Sequence, residues 1–423
     1  MSRIMQSLLK DVTIPRFVKI KQRFEDYAIC PEQIPEVVKA QLSQPQIAET
    51  IKPGMSVCLT CGSRGIDNLV AITKAVVDFC KERGAQPFVI PAMGSHGGAT
   101  AEGQREVLTS FGVTEEAVGC PIRSSMETTC IGTTREGHPV HIDSFAAAAD
   151  AIILINRIKP HTSFRGTYES GLMKMMAIGL GKQKGAETCH ADGFVRMHHM
   201  VPLFGNAILE NAPVAFGLGI IENAYDKTMQ LHALTPQQII GEEPVLLKLA
   251  AANMPSLGFE SCDVLVVDEI GKNISGCGMD PNISGVFATP GMTGGIQAQR
   301  RCILSLTEQT HGNGYGMGAA DVVTGRLYTQ LDLDMVYPNS VTSTSLGFAK
   351  IPVIVDSDWA AIALCIRSCT QIQKDKPRII RIKNTLELSE FEISEAMIPE
   401  MKGNMEIISQ HYYLPFDGEN NLL

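Results

Sequence analysis

Short apolar runs alternate with stretches of helical spacing along the first half of the chain, the pattern of a parallel sheet layered with helices. MSVCLT (55–60) reads as a buried strand. After it Asp67 is placed to cap a helix with apolar positions at Leu69, Ile72, Val76 and Phe79, and Gly84 supplies the stop. PFVIPA is the next strand, followed by a helix opened by Thr100 and ending near Gly112. AIILINRI and VAFGLGII continue the series, and Thr235, Pro236 and Gln238 form a capping-box start for a long helix. Around residue 256 the pattern restarts: MPSLGFES reads as a linker, and CDVLVVDE, CILSLTE, IPVIV, a helix after Trp359 and RIIRIK form a second α/β set. The expectation is an α/β protein of two domains with layered, largely parallel sheets and an active-site cleft between them. Residues 1–255 form the first domain, 256–390 the second, and 391–423 a tail packing back on the first. The chain contains no internal repeats and no low-complexity tract.

Composition narrows the function classes. A chain of 423 residues with 44% hydrophobic content can bury real cores, which excludes a disordered or fibrous protein. The net charge of -9, without any basic run, gives no attraction for nucleic acid or anionic lipid. No segment approaches the ~18 uninterrupted apolar residues of a membrane span, and the opening MSRIMQSLLKDVTI lacks a secretion-signal core; a cytoplasmic location is expected. Twelve cysteines from Cys30 to Cys369, many within apolar runs, suit reduced thiols better than a disulfide framework. Cys58 and Cys61 make a CxxC pair, but no second pair completes a zinc site.

Candidate chemistry gathers in glycine-rich turns that follow strands, where sites of α/β sheets form. TCGSRGIDN (60–68) surrounds Arg64 with small residues ahead of a helix, which suits an anion or an ordinary turn. It is neither a Walker loop nor a GxGxxG. PAMGSHGGATAEG flanks His96 with Gly94, Gly97 and Gly98, leaving the ring open to a ligand or simply to solvent. The segment NRIKPHTSFRGTYESGLMKMMAIGLGKQKGAETCHADGF (156–194) is the most informative. It carries His161 after a strand, Lys174 among Leu172, Met173, Met175 and Met176, and His190 sixteen positions after the lysine. Neither HExxH nor CxxC spacing is present for zinc, and a lysine in such apolar company is either snorkelling or held for chemistry.

This arrangement resembles the nickel-dependent lactate racemase family across most of residues 55–195. In that family a histidine in a glycine turn is followed by a second histidine, a lysine and a metal-binding histidine sixteen positions on. The lysine there forms an amide with a pyridinium nucleotide whose two sulfur arms and ring carbon hold nickel. By position, the resemblance implies that Lys174 anchors the nickel-pincer nucleotide, that His190 ligates nickel, and that His96 and His161 are the acid/base pair. Arg64 would lie near substrate or cofactor. A planar three-point pincer plus one imidazole gives the four-coordinate square geometry that Ni(II) accepts. Two imidazoles, with unperturbed pKa near 6.5, can each serve one enantiomer as base and the other as acid.

The chain departs from the lactate enzymes in three places. Cys61 stands where they carry an acidic residue three positions before the arginine, the His161–Lys174 stretch is about three residues longer, and DEIGKNISGCGMDPN (268–282) differs. Lys272 or Asn273 could hold a substrate carboxylate, or Lys272 could be a solvated loop residue; THGNGYGMG (310–318) offers His311 or is a plain loop. Trp359 resembles an active-site tryptophan of the family and equally suits a core or rim position. The implied activity is racemisation or epimerisation at C2 of a 2-hydroxy acid by reversible hydride transfer. An aldonate of the gluconate type is preferred over lactate or malate because of the polar loops. The implied partners are that small acid and the enzymes that mature the cofactor, with a homo-oligomer compatible. A nicotinamide-dependent oxidoreductase would call for a GxGxxG turn that is absent, and a non-catalytic sugar-acid binding protein would make His96 and His161 dispensable.

Overall fold

A computed structural model describes residues 3–342 and 346–423. The chain divides into two compact units, Glu25–Met254 and Met1–Phe24 together with Pro255–Leu423.

The Glu25–Met254 unit is built on a five-stranded sheet in the order Gln86–Pro91, Ser56–Cys61, Ala151–Arg157, Val214–Glu222, Thr228–Leu234. The first four strands are parallel, and the last is antiparallel to its neighbour. Successive side chains of a strand point to opposite faces, so continuous apolar runs feed two cores at once. Cys58, Ile152 and Leu154 enter one core, with Leu172, Met173 and Phe204 from the helical layer. Val57, Leu59, Ile153 and Ile155 enter the other, against Ile72 and Val76. Each such fully buried aliphatic side chain contributes about 1.5–3 kcal/mol.

Several local expectations hold and one does not. Thr235 closes a full capping box with Gln238, and Thr100 caps its helix through the Gly103 amide. The helix Leu69–Glu82, however, has Asn68 at its N-cap in the left-handed region (φ 59°) with no side-chain cap. Asp67 instead turns its carboxylate to the Thr228 amide at 2.9 Å and to the Asn68 side chain at 2.7 Å. A strand 160 positions away outbids the local cap.

The second unit carries an eight-stranded sheet in the order Val353–Val355, Val322–Thr324, Gln297–Leu306, Ser261–Ile270, Ile379–Ile382, Glu390–Ser394, Phe17–Gln22, Met405–Ile407. Its first five strands run parallel and the remaining pairings are antiparallel. Helix Asp358–Ser368 covers one face through Ala361, Ile362 and Cys365. Two boundaries differ from the expected ones. The first 24 residues join this unit, because Phe17–Gln22 inserts between Glu390–Ser394 and Met405–Ile407. For the same reason residues 391–423 stay with this unit rather than the first. Pairing across nearly 400 residues leaves no mark on local periodicity. All twelve cysteines are free thiols, and among the described residues no helix is long and apolar enough to cross a membrane.

Candidate active site

Three strands of the Glu25–Met254 sheet deliver the candidate residues from their carboxyl ends. Gly62, Ser63 and Arg64 follow Ser56–Cys61; His96 follows Gln86–Pro91; Asn156 closes Ala151–Arg157 and His161 comes soon after. These are the three adjacent strands of the sheet, and turns at this edge are where ligands of open α/β sheets bind.

Lys174 ends a short helical turn, Leu172–Lys174, whose apolar neighbours Leu172, Met173 and Met175 are buried in the core and aim the remaining side chain out of it. Buried Glu243 receives the Met173 amide at 3.0 Å, satisfying a donor at the start of the turn. Its carboxyl is pushed up to about 8 by burial, against the opposing pull of the Met173 and Leu172 amides. The chain continues as a π-helical segment, Met175–Leu180, a form found mostly at functional sites. Gly179 permits it to lie against the strand end: a Cβ there would stand 2.7 Å from the Ala92 carbonyl and 2.5 Å from the Met175 sulfur. The helix Lys182–His190 follows and ends on the second histidine.

The Lys174 Nζ lies 2.7 Å from His161 Nε2. The other ring nitrogen, Nδ1, accepts the Ser163 amide at 2.9 Å, so in the neutral ring the proton sits on Nε2 and is offered to the lysine. The free-amine form of Lys174 has the lone pair to receive it. Burial, then the Arg64 guanidinium, lower Lys174 from the usual lysine range to about 8, which enlarges the free-amine fraction near neutral pH. His161 is held well below its ordinary value by burial and by the charges of Lys174, His190, Arg165 and Arg64, and so stays neutral. Its backbone amide is fixed by Glu169 at 2.7 Å, and Arg165 donates to its carbonyl at 2.6 Å.

His190 joins the same cluster. Phe194 lies 5.4 Å from its ring and 6.3 Å from that of His161, centroid to centroid. Burial and the nearby Lys174 bring His190 down to about 4, while a hydrogen bond to the Ala186 carbonyl opposes them. At neutral pH the ring is uncharged and one nitrogen carries a donor, which leaves the chemistry of a ligand to the other. Buried Cys189, raised to about 12 by burial, is a protonated thiol beside Lys174.

His96 is exposed, and its Nδ1 is 2.5 Å from Ser63 Oγ, a pairing that orients the ring. Buried Gln104 holds the turn, donating to the carbonyls of Gly94 (2.8 Å) and His96 (3.2 Å). Cys61, at the position of the expected acid, is buried and faces Thr73 at 3.8 Å. The Ser63 hydroxyl is therefore the polar partner of His96 in this chain. Ser63, Gln104, Phe194 and Glu243 carry no sequence signal of their own; their parts follow from contacts that only the folded chain makes.

Lys272, Asn273 and Trp359 belong to the other unit, and each has local bonds that account for it. The Lys272 ammonium donates to the Gly276 carbonyl at 2.6 Å and lies 4.6 Å above the Tyr315 ring. Asn273 accepts the Thr307 hydroxyl at 2.7 Å. Trp359 is half-buried in the second residue of its helix, against an apolar core. In the segment 310–318, Thr310, Asn313, Tyr315 and Met317 are buried, while His311 is exposed.

Residues 8–200 match the family model described as the lactate racemase N-terminal domain. Among solved structures, that of the lactate racemase apoprotein from Thermoanaerobacterium thermosaccharolyticum aligns with 82% of this chain and 99% of its own at 14% identity, with a TM-score of 0.46. No curated protein matches the chain.

Proposed function

We propose that this chain, whose residues 8–200 match the lactate racemase N-terminal domain, is an isomerase of that family inverting C2 of a 2-hydroxy acid, with a nickel-pincer nucleotide anchored on Lys174. The observation that carries this reading is the Lys174–His161 pair: a half-buried amine 2.7 Å from an imidazole, with its basicity lowered by burial and by Arg64, has a far larger free-amine fraction than an ordinary lysine and is a nucleophile suited to acylation. The residues present fit such a group: the Lys174 amine is placed to be acylated, and His190 is an uncharged imidazole with one nitrogen left to ligate, so the remaining donors would come with the organic ligand.

Bound there, the group would supply the acceptor for the hydrogen leaving C2. The protein's own residues handle the proton and the charge. His96, oriented by Ser63, takes the hydroxyl proton of one enantiomer through Nε2 and returns it to the other. His161 serves the opposite side: once Lys174 is acylated its nitrogen has no free lone pair, and His161 Nε2 turns from the lysine to the substrate oxygen, accepting the hydroxyl proton in the tautomer that carries the ring proton on Nδ1, with the Ser163 amide released from that nitrogen. Arg64, whose charge reaches Lys174 and His161, pairs with the substrate carboxylate. Lys272, Asn273 and Trp359 lie in the other unit and are given no step in this proposal.

Protein from a host that makes the cofactor should carry a nucleotide-derived mass on the Lys174 peptide, absent in Lys174→Ala. With lactate, malate and gluconate deuterated at C2, the substrate that inverts should keep its deuterium. Solvent hydrogen at C2, with Lys174 dispensable, would replace hydride transfer by simple proton abstraction and sink the reading.

A further inference from the structure

Lys174 and His190 are sixteen residues apart, and a continuous α-helix would separate them by about 24 Å at ~1.5 Å per residue. They nevertheless share a cluster: His161 bonds Lys174, and Phe194 stacks on His161 and packs in a tilted contact against His190. The chain must fold back between them. The break falls at Lys182, eight residues from each, where φ is +53°, a left-handed backbone that glycine adopts freely and other residues rarely do. Gly181 precedes it, yet the left-handed position itself is a lysine.

The Lys182 side chain shows what holds it. It is 0% exposed and ion-paired at 3.0 Å with Asp143, also 0% exposed. The same ammonium donates to the Pro91 carbonyl at 2.5 Å and to Gln104 Oε1 at 3.1 Å. Pro91 ends the strand that leads to His96, and Gln104 grips the backbone on both sides of that turn. Buried ion pairs are weak stabilisers, often replaceable by apolar residues without loss, so stability alone does not account for a charge in this corner.

We propose that Lys182 is the positioning residue of this site: its pairing with Asp143 holds the left-handed corner that folds His190 back toward Lys174, and through Gln104 it fixes the turn bearing His96. The proposal rests on the reading of Lys174 as anchor and His190 as metal ligand. It extends that reading to the geometry between them.

Three variants separate the parts. Lys182→Met/Asp143→Asn removes the charges while keeping volume and the acceptor that caps the following turn. Lys182→Gly/Asp143→Asn also removes them but leaves a residue content with positive φ. Gln104→Met cuts the link to the His96 turn and one acceptor of the Lys182 ammonium, leaving the Asp143 pair and the Pro91 carbonyl in place. In protein matured with cofactor, intact mass reads adduct on Lys174 and metal analysis reads nickel. The Met double variant should keep its adduct but lose nickel per adduct about tenfold or more, in the range seen when support of a ligand is lost, and the Gly double variant should recover most of it. In apoprotein, the ring-proton resonances of His190, displaced by Phe194, should collapse toward solvent-exposed values in the Met variant and return in the Gly variant. Gln104→Met should move the His96 resonances and leave those of His190 in place. A folded Met variant with wild-type nickel per adduct and wild-type His190 resonances overturns the proposal. So does a Gly variant no better than the Met variant, and unmoved His96 resonances in Gln104→Met overturn the link to that turn. Wild-type protein without adduct would instead refute the proposed function, and the apoprotein resonances would still decide the corner.

Discussion

The uncharged state of Lys174 can be tested without cofactor, by the rate at which the apoprotein's lysine is acetylated as pH is varied. A lysine lowered from 10.5 to about 8 is roughly 9% free amine at pH 7, about 300-fold more than an ordinary lysine. A less basic amine is also a poorer nucleophile. With a Brønsted slope like that of thiols, about 0.45, the shift takes back roughly tenfold and leaves a net gain of ~20–30-fold. Restricted access scales all rates alike, so the midpoint is the cleaner readout. Acetylation of the Lys174 peptide, measured by mass spectrometry against a small-molecule amine in the same tube, should rise with a midpoint near 8. Burial is the larger cause and the Arg64 charge the second, so Arg64→Gln should raise the midpoint while leaving it below 10.5. A wild-type midpoint at 10 or above, or one indifferent to Arg64→Gln, would refute the pairing inferred from the His161 tautomer.

The same shift has a stability consequence of fixed sign. With the folded value depressed, the unfolded chain binds the extra proton between pH 8 and 10.5, so stability rises with pH across that window. The penalty present below pH 8 amounts to about 3 kcal/mol, nearer 2 once partial solvent access is allowed. Urea unfolding of wild type should show this rise and Lys174→Met should lack it.

His190→Ala should lose nickel while keeping the adduct on Lys174, read by metal analysis beside intact mass; retained nickel would assign the ligand elsewhere. Glu243 has a raised folded value, so its protonated form favours the fold and stability falls as pH climbs from about 4.5 through 8. Glu243→Gln, a neutral isostere that still accepts the Met173 amide, should therefore gain on wild type in urea melts between pH 5 and 8, by up to roughly 4 kcal/mol; a constant difference would be the failing result. Gly179→Ala forces a Cβ against the Ala92 carbonyl and the Met175 sulfur, and should lower the melting temperature by several degrees with ~1–3 kcal/mol lost. An unchanged melt would mean that the π segment has slack.

Much of the sheet architecture was legible because fully buried parallel strands announce themselves as apolar runs, as CDVLVVDE and AIILINRI do. The strands Phe17–Gln22 and Thr228–Leu234 were not, since FVKIKQ and TMQLHAL mix polar and apolar residues and earn their places by pairing with distant partners. Asp67 illustrates the competition: its local sequence reads as a cap, but a strand amide from beyond residue 220 takes the carboxylate.

In the site, residue types were legible and their protonation was not. His161, Lys174 and His190 stand out by company and spacing, yet their working states follow from second partners that no spacing rule names. The Ser163 amide decides the His161 tautomer from only two residues away, but solely because the loop turns back on the ring. The Arg64 charge bears on Lys174 from a different strand end. Lys182 looks, in the string GLGKQKGAE, like one more helix-surface lysine, and its burial depends on Asp143 arriving from the hairpin that precedes the central strand. Lys272, read as a carboxylate ligand or a solvated loop residue, gains contacts that its spacing does not announce: its ammonium donates to a carbonyl four residues on and lies over an aromatic face. A charged side chain in a strand-end turn is thus a candidate only until its other contacts are counted. The groups on which the proposed chemistry draws are His96, Lys174 and His190, brought to the site from separate stretches of the chain.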